Sequence, residues 1–303
     1  MRPSPLRREP HGPAPCQHRD RHRRRERGVS DDGSRWTTGT VTVDRRTVFY
    51  RRSVGGEDGV PIVHLHGFAI SGAYLMPTAR RLAAHRTNVV PDLPGYGRSE
   101  HPGRALGIPA LADALLVILD ALGLGEVVLV GNSMGCPVGL EVAHMAPERV
   151  QRLVLVSPAG GVQNQPMARA LAQLARDIAR ESPRMAPVAL PDYVRFGPLN
   201  ALHLFSELTR FPSLERLLRA PVPALAVLGT RDPLMPPPHR VREVGRLAPE
   251  HVTVVVIEGA AHAMNFSHPG ELAHVISSWL EGREITDDPD EPGHARVLEI
   301  DRG

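Results

Sequence analysis

The chain contains no lysine, because all 36 of its basic residues are arginine. A Schiff-base lysine is thereby excluded. Cysteine is almost as scarce: Cys16 lies near the start and Cys136 in mid-chain. Two cysteines so placed support neither a disulfide framework nor a metal cluster. No apolar run approaches the roughly 20 residues that cross a bilayer, and the arginine-laden beginning lacks the apolar stretch of a secretory signal. The expectation is a cytoplasmic protein with no membrane partner. Aromatic residues are only 4% of the chain, so no stacking platform follows the Arg19–Arg27 cluster and no nucleic-acid partner is expected.

What is present is enough for one large core: 303 residues, 42% of them hydrophobic. Formal net charge is only +3, and the excess is local, with nine arginines in residues 1–30 against Glu9, Asp20 and Glu26. Residues 1–37 have almost no apolar periodicity and read as a disordered basic tail. Residues 283–303, with Asp287, Asp288, Asp290 and Glu291, read as an acidic tail. Between the tails, apolar runs alternate with helical patterns, which is the signature of a mainly parallel sheet covered on both faces. Thr40–Val43 and Thr47–Tyr50 read as an antiparallel pair. Six further strands follow at Ile62–Leu65, Thr87–Val90, Glu126–Val130, Arg152–Val156, Ala224–Leu228 and Val252–Ile257. Helices are expected at about 74–85, 109–122, 134–146, 237–248 and 270–281. The interval 162–220 breaks the alternation, with helix-like stretches at Met167–Arg180 and Ala201–Arg219 around Pro183, Pro187, Pro191 and Pro198. It reads as an inserted helical cap on a core made of residues 38–161 and 221–282.

In such sheets ligands bind beyond the C-terminal strand ends, so the residues just after strands matter most. After Glu126–Val130 comes Gly131-Asn132-Ser133-Met134-Gly135, followed by a helix. A serine flanked at two residues by glycines fits a sharp strand-to-helix turn that leaves the hydroxyl exposed at its tip. Asp232 follows the strand at Ala224–Leu228, and His262 follows Val252–Ile257. A serine hydroxyl is a poor nucleophile until a base takes its proton, and an imidazole held in one tautomer by a carboxylate is such a base. Ser133, His262 and Asp232 take those roles, with activity expected to fall below a midpoint near pH 6–7 if the imidazole is unperturbed. The amides of Met134 and Phe68 are the expected donors to a developing oxyanion.

These residues, with His66-Gly67-Phe68, Asp92-Leu-Pro-Gly95-Tyr-Gly97-Arg-Ser99 and Gly229-Thr-Arg-Asp232, resemble the α/β-hydrolase family over about residues 38–282. The resemblance implies an eight-stranded, mostly parallel sheet with a helical cap between the sixth strand and the helix before the seventh. A serine at 133 separates the chain from the haloalkane dehalogenase and epoxide hydrolase branches, which use aspartate there. Leu129–Gly135 and Pro147–Gly161 look like the carbon–carbon bond hydrolases of meta-ring-fission products, although Cys136 stands where those enzymes usually have glycine. Ala263 stands where tryptophan is common. A cap arginine in that branch binds substrate carboxylate, and Arg195 is the candidate for that place, although with six arginines between 152 and 195 a solvated surface charge is the favoured reading.

The expected activity is acyl-enzyme hydrolysis of small to medium, largely apolar carboxylic esters or lactones. The alternatives are carbon–carbon bond hydrolysis by the same residues and a non-catalytic ligand-binding role. Phe196, Leu234, Met264 and Phe266 are the candidate pocket lining, and a small molecule is the expected partner. No cofactor and no metal is expected: His64 and His66 share a strand face but have no third ligand nearby. His66 is expected to shape the oxyanion loop, Asp92 to organise its own loop, and Cys136 to be a small buried apolar group.

Overall fold

The computed structural model describes residues 25–27, 36–56, 59–159, 167–234, 250–286 and 295–297. The strands are β1 (Arg25–Arg27), β2 (Trp36–Val43), β3 (Arg46–Ser53), β4 (Ile62–Leu65), β5 (Asn88–Pro91), β6 (Val127–Asn132), β7 (Val150–Val156), β8 (Ala224–Gly229), β9 (Val252–Ile257) and β10 (Ala295–Val297). They form one sheet in the order β1-β2-β3-β5-β4-β6-β7-β8-β9-β10. The six strands from β5 to β9 in that order are parallel, whereas β1, β2, β3 and β10 pair antiparallel at the two ends.

The eight strands read from the sequence are therefore joined by two more. Arg25–Arg27 pairs with Thr38–Thr40, and Ala295–Val297 pairs with Val255–Ile257. Both lie in segments whose composition pointed to tails. An edge strand of three residues is held by main-chain hydrogen bonds and needs no apolar pattern, so periodicity could not mark it. The helix expected at 237–248 falls outside the described residues.

The central strands read as continuous apolar runs because helices cover both faces, and β4, β6 and β8 are buried at every position. Side chains still alternate between faces. After the first helix, α1 (Met76–Leu82), come α2 (Ile108–Ala121) and α3 (Gly135–Met145), against which Val63, Leu65 and Leu129 pack through Leu115, Ile118, Val138 and Val142. Ile62, Val128 and Val130 lie in the opposite cluster with Leu272, Val275 and Ile276. The β2–β3 hairpin closes through Asp44 and Arg45, both at positive φ (47° and 64°), the turn whose twist matches that of paired strands.

Between β7 and β8 lie α4 (Met167–Arg180), α5 (Ala186–Phe196), α6 (Pro198–Leu208) and α7 (Ser213–Leu218). The proline-rich middle is thus helical. Pro187 and Pro198 sit in first turns, where a missing N–H costs nothing, and only Pro191 interrupts a helix interior. The expected helix over Ala201–Arg219 is two, parted at Phe211-Pro212. Among the described residues no helix is long and apolar enough to cross a membrane.

Candidate active site

The turn from β6 into α3 places Ser133 in the left-handed region, at φ 54°. Only a small set of neighbours permits this. A Cβ at Gly131 would stand 2.5 Å from the Gly135 carbonyl carbon, and one at Gly135 would overlap the Leu65 carbonyl. Helix, strand and neighbouring strand therefore meet where side chains cannot fit. Asp232 lies in the loop after β8, where its Oδ1 accepts the Leu234 N–H at 2.8 Å. His262 lies in the loop after β9, before α8 (Met264–Ser267) and α9 (Pro269–Leu280). Its Nδ1 is 2.8 Å from Asp232 Oδ2. That bond fixes Nδ1 as the protonated nitrogen and leaves Nε2 with a lone pair when the ring is neutral. All three side chains are buried, Ser133 retaining 8% exposure.

The environment of His262 is not ordinary, which changes the expectation of a midpoint near pH 6–7. Burial pulls the imidazole down, but the charge and hydrogen bond of Asp232, with the carboxylates of Asp177 and Glu181, outweigh it and push it up to about 9. Burial would raise the Asp232 carboxyl; the His262 charge and hydrogen bond reverse this and hold it below the usual carboxylate range.

The loops carrying these residues are bonded to one another. Gly67 N–H donates to Tyr74 Oη at 2.9 Å, and Tyr74 O–H donates to Asn132 Oδ1. Asn132 Nδ2 in turn donates to the carbonyls of His262 at 3.2 Å and Val156 at 3.1 Å. One chain of bonds thus spans the loop after β4, the serine turn and the histidine loop. Sequence reasoning missed Tyr74 altogether; no motif marks it, and its partner lies 58 residues away. Burial holds its phenol far above its usual range, so it stays a donor. Tyr74→Phe leaves the Gly67 N–H and Asn132 Oδ1 buried and unpaired. It is expected to cost about 1–3 kcal/mol in thermal unfolding and to lower kcat.

Among the described residues the Phe68 and Met134 amides have no protein acceptor. Gly67, beside Phe68, lies against Ser133: a Cβ there would be 3.4 Å from the Ser133 Cβ. Phe68 packs edge-on against Phe196 at 6.0 Å and lies 5.7 Å from Phe205, while Tyr96 stacks on Phe196 at 4.9 Å. Phe196 therefore forms an apolar wall over the loop after β4. Leu234 is half-buried two residues past Asp232. Met264 is fully buried in the core cluster with Val130, Val156 and Leu272, and Phe266 packs against the cluster of Ile70, Tyr74 and Ala263.

The remaining candidates are structural. His66 Nε2 accepts the Leu93 N–H at 3.0 Å and its Nδ1 lies 3.0 Å from the Gly67 carbonyl, so the ring shapes the loop. His64 pairs with Asn88 Oδ1 at 2.6 Å, and burial lowers it to about 4. Asp92 accepts the Gly72 and Arg98 N–H groups at 2.9 and 3.0 Å and pairs with Arg51 at 2.7 Å. Arg195 is exposed and donates to the Gly97 carbonyl. Cys136 is fully buried, its thiol donating to the Gly131 carbonyl at 3.2 Å, and burial pushes it well above its usual range. A thiol reagent should therefore leave the folded protein unlabelled at Cys136 and react only on unfolding, as peptide mapping would show.

A profile of the alpha/beta hydrolase family matches residues 62–275. The chain belongs to that family. The pimeloyl-[acyl-carrier protein] methyl ester esterase of Klebsiella pneumoniae is 32% identical, over 73% of this chain and 93% of that protein. The dihydrolipoyllysine-residue acetyltransferase component of the acetoin cleaving system of Pseudomonas putida is 30% identical over 75% of this chain. The chain spans 65% of that protein's length, just under two thirds. Among solved structures, the carboxylesterase CesB of Bacillus subtilis superposes with a TM-score of 0.66 at 21% identity, covering 82% of this chain and 92% of that one.

Proposed function

We propose that the protein is a serine hydrolase that cleaves small to medium, largely apolar carboxylic esters or lactones through an acyl-enzyme. Ser133 Oγ attacks the carbonyl carbon while His262 Nε2 takes the hydroxyl proton. The same imidazolium then protonates the leaving alcohol, and a water repeats the sequence to release the acid. Asp232 holds the ring in the tautomer that leaves Nε2 free. The Phe68 and Met134 amides meet the charge on the carbonyl oxygen, a contribution of about 10²–10³-fold per donor in such sites. The observation that carries this reading is the His262 Nδ1–Asp232 bond at 2.8 Å, at one strand edge with a serine held at φ 54°.

The methyl ester esterase at 32% identity supports ester cleavage. The apolar wall of Phe68, Phe196 and Phe205 suits an acyl chain or aryl group. Carbon–carbon bond hydrolysis ranks below, because its diketo acid substrates need a cation for their carboxylate and Arg195, the candidate in the sequence, is exposed and anchored to the Gly97 carbonyl. Treatment of the folded protein with a fluorophosphonate, followed by peptide mapping, is expected to give one adduct, on Ser133. An unlabelled Ser133 in folded protein would sink the proposal. Aryl esters of graded chain length, run beside a synthetic dienoate, would then separate the two chemistries.

A further inference from the structure

Helix α4 grips both loops of the candidate acid–base pair. Arg180 Nη1 donates to the Arg231 carbonyl at 3.1 Å, beside Asp232, and the Ala263 N–H, beside His262, donates to Glu181 Oε1 at 2.7 Å. Glu181 extends the last turn of α4, since its N–H donates to the Asp177 carbonyl at 3.0 Å. Residues 177, 180 and 181 thus share one helix face, and that face is turned to the site. Asp177 is at its centre. One of its carboxylate oxygens lies within 4.8 Å of both an imidazole nitrogen of His262 and a carboxylate oxygen of Asp232. Asp177 is 6% exposed, and its Oδ1 is buried without a hydrogen-bond partner among the described residues. A buried carboxylate in that condition is costly unless a positive charge faces it. The charge available is the His262 imidazolium.

We infer that Asp177 is a positioning residue for His262, a second carboxylate that acts on the imidazole beside Asp232 and makes the seating of α4 part of assembling the site. The inference rests on the proposed hydrolase reading for its catalytic consequence, but the coupling itself is a property of the resting protein. Three carboxylates face one imidazole: Asp232 from the β8 loop, with Asp177 on α4 and Glu181 just past its end. Arg180 offsets Asp177, and Tyr193 on α5 lies within its field as a neutral phenol. Burial, helped by Glu181 and Asp232, raises Asp177 to about 7, and the group ionises as pH rises through that value. Above it, the anion favours the charged form of His262. The imidazole is then a stronger base, available only at higher pH.

The test is a histidine titration followed by NMR, beside the pH profile of kcat/KM for an aryl ester. The wild-type acid limb and the His262 titration are expected well above pH 7, toward the value of about 9. In Asp177→Asn both should move down by about one unit, as expected on removing one nearby charge. The variant should then be faster than wild type on the acid side and slower on the alkaline side. Asp177→Glu, which keeps the charge, should return the midpoint to within a few tenths of wild type, and Glu181→Gln should give a smaller downward shift. A loss of activity in Asp177→Asn with both midpoints unmoved would reduce the residue to a packing role and overturn the inference. If no ester is turned over but the NMR midpoint still moves, the hydrolase reading fails and the coupling stands. Should Asp177→Asn fail to fold, an unmoved midpoint in Glu181→Gln overturns the coupling of α4 to His262.

Discussion

Replacing Ser133 by alanine should lower kcat for ester hydrolysis by about 10⁴–10⁶-fold, the range seen when one member of such a unit is removed. The hydroxyl is the only group lost. Gly131, Gly135 and the Asn132 bridge are untouched, so the unfolding midpoint should stay close to that of the parent. Residual activity of Ser133→Ala above the water rate would come from the Phe68 and Met134 amides and from binding. A variant that keeps a tenth or more of its activity would remove Ser133 from the chemistry. On the proposed mechanism the three side chains work as one unit, so His262→Ala should lose nearly as much and the double variant little more. Multiplicative losses in the double variant would contradict that.

The second large effect is on the fold. Gly135→Ala places a methyl group onto the Leu65 carbonyl, in the main chain of β4. Backbone on one side and the first turn of α3 on the other leave no flexible neighbour to move aside. A cost of about 3 kcal/mol or more is expected, or failure to accumulate as folded protein. In a chain of this size that is a drop of about 5 °C or more in Tm. Gly125→Ala is the control: a Cβ there meets nothing within 4 Å, and Tm should hold. Equal losses in the two variants would mean that the closeness of strand and helix at Gly135 is not what limits the position.

Much of this was legible in the sequence, for physical reasons that also set the limit. Strands buried on both faces must be largely apolar, so Ile62–Leu65, Glu126–Val130 and Val252–Ile257 announced themselves. Residues that follow such strands fall at one edge, and Ser133, Asp232 and His262 were found there without knowledge of their contacts. What escaped depends on docking between distant segments. Asp177 on an amphipathic helix looks like a solvated charge until α4 is laid against His262. Tyr74 becomes a linchpin only once Asn132 folds beside it. The expectation of a His262 midpoint near 6–7 assumed an ordinary environment, and that environment was illegible for the same reason, since two of the three carboxylates that raise the imidazole come from the insertion. Prolines 187 and 198 misled in the other direction, because the signal that breaks a helix interior also starts a helix.

The backbone at Ser133 has a consequence for how the protein responds to selection. A left-handed serine costs about 1–2 kcal/mol, more than the roughly 0.5–1 kcal/mol of chain entropy that glycine would lose on folding. Heat resistance and turnover therefore pull this position in opposite directions. A library screened only for survival at high temperature would enrich glycine at residue 133, yielding sturdier molecules that had shed the group around which the site is arranged.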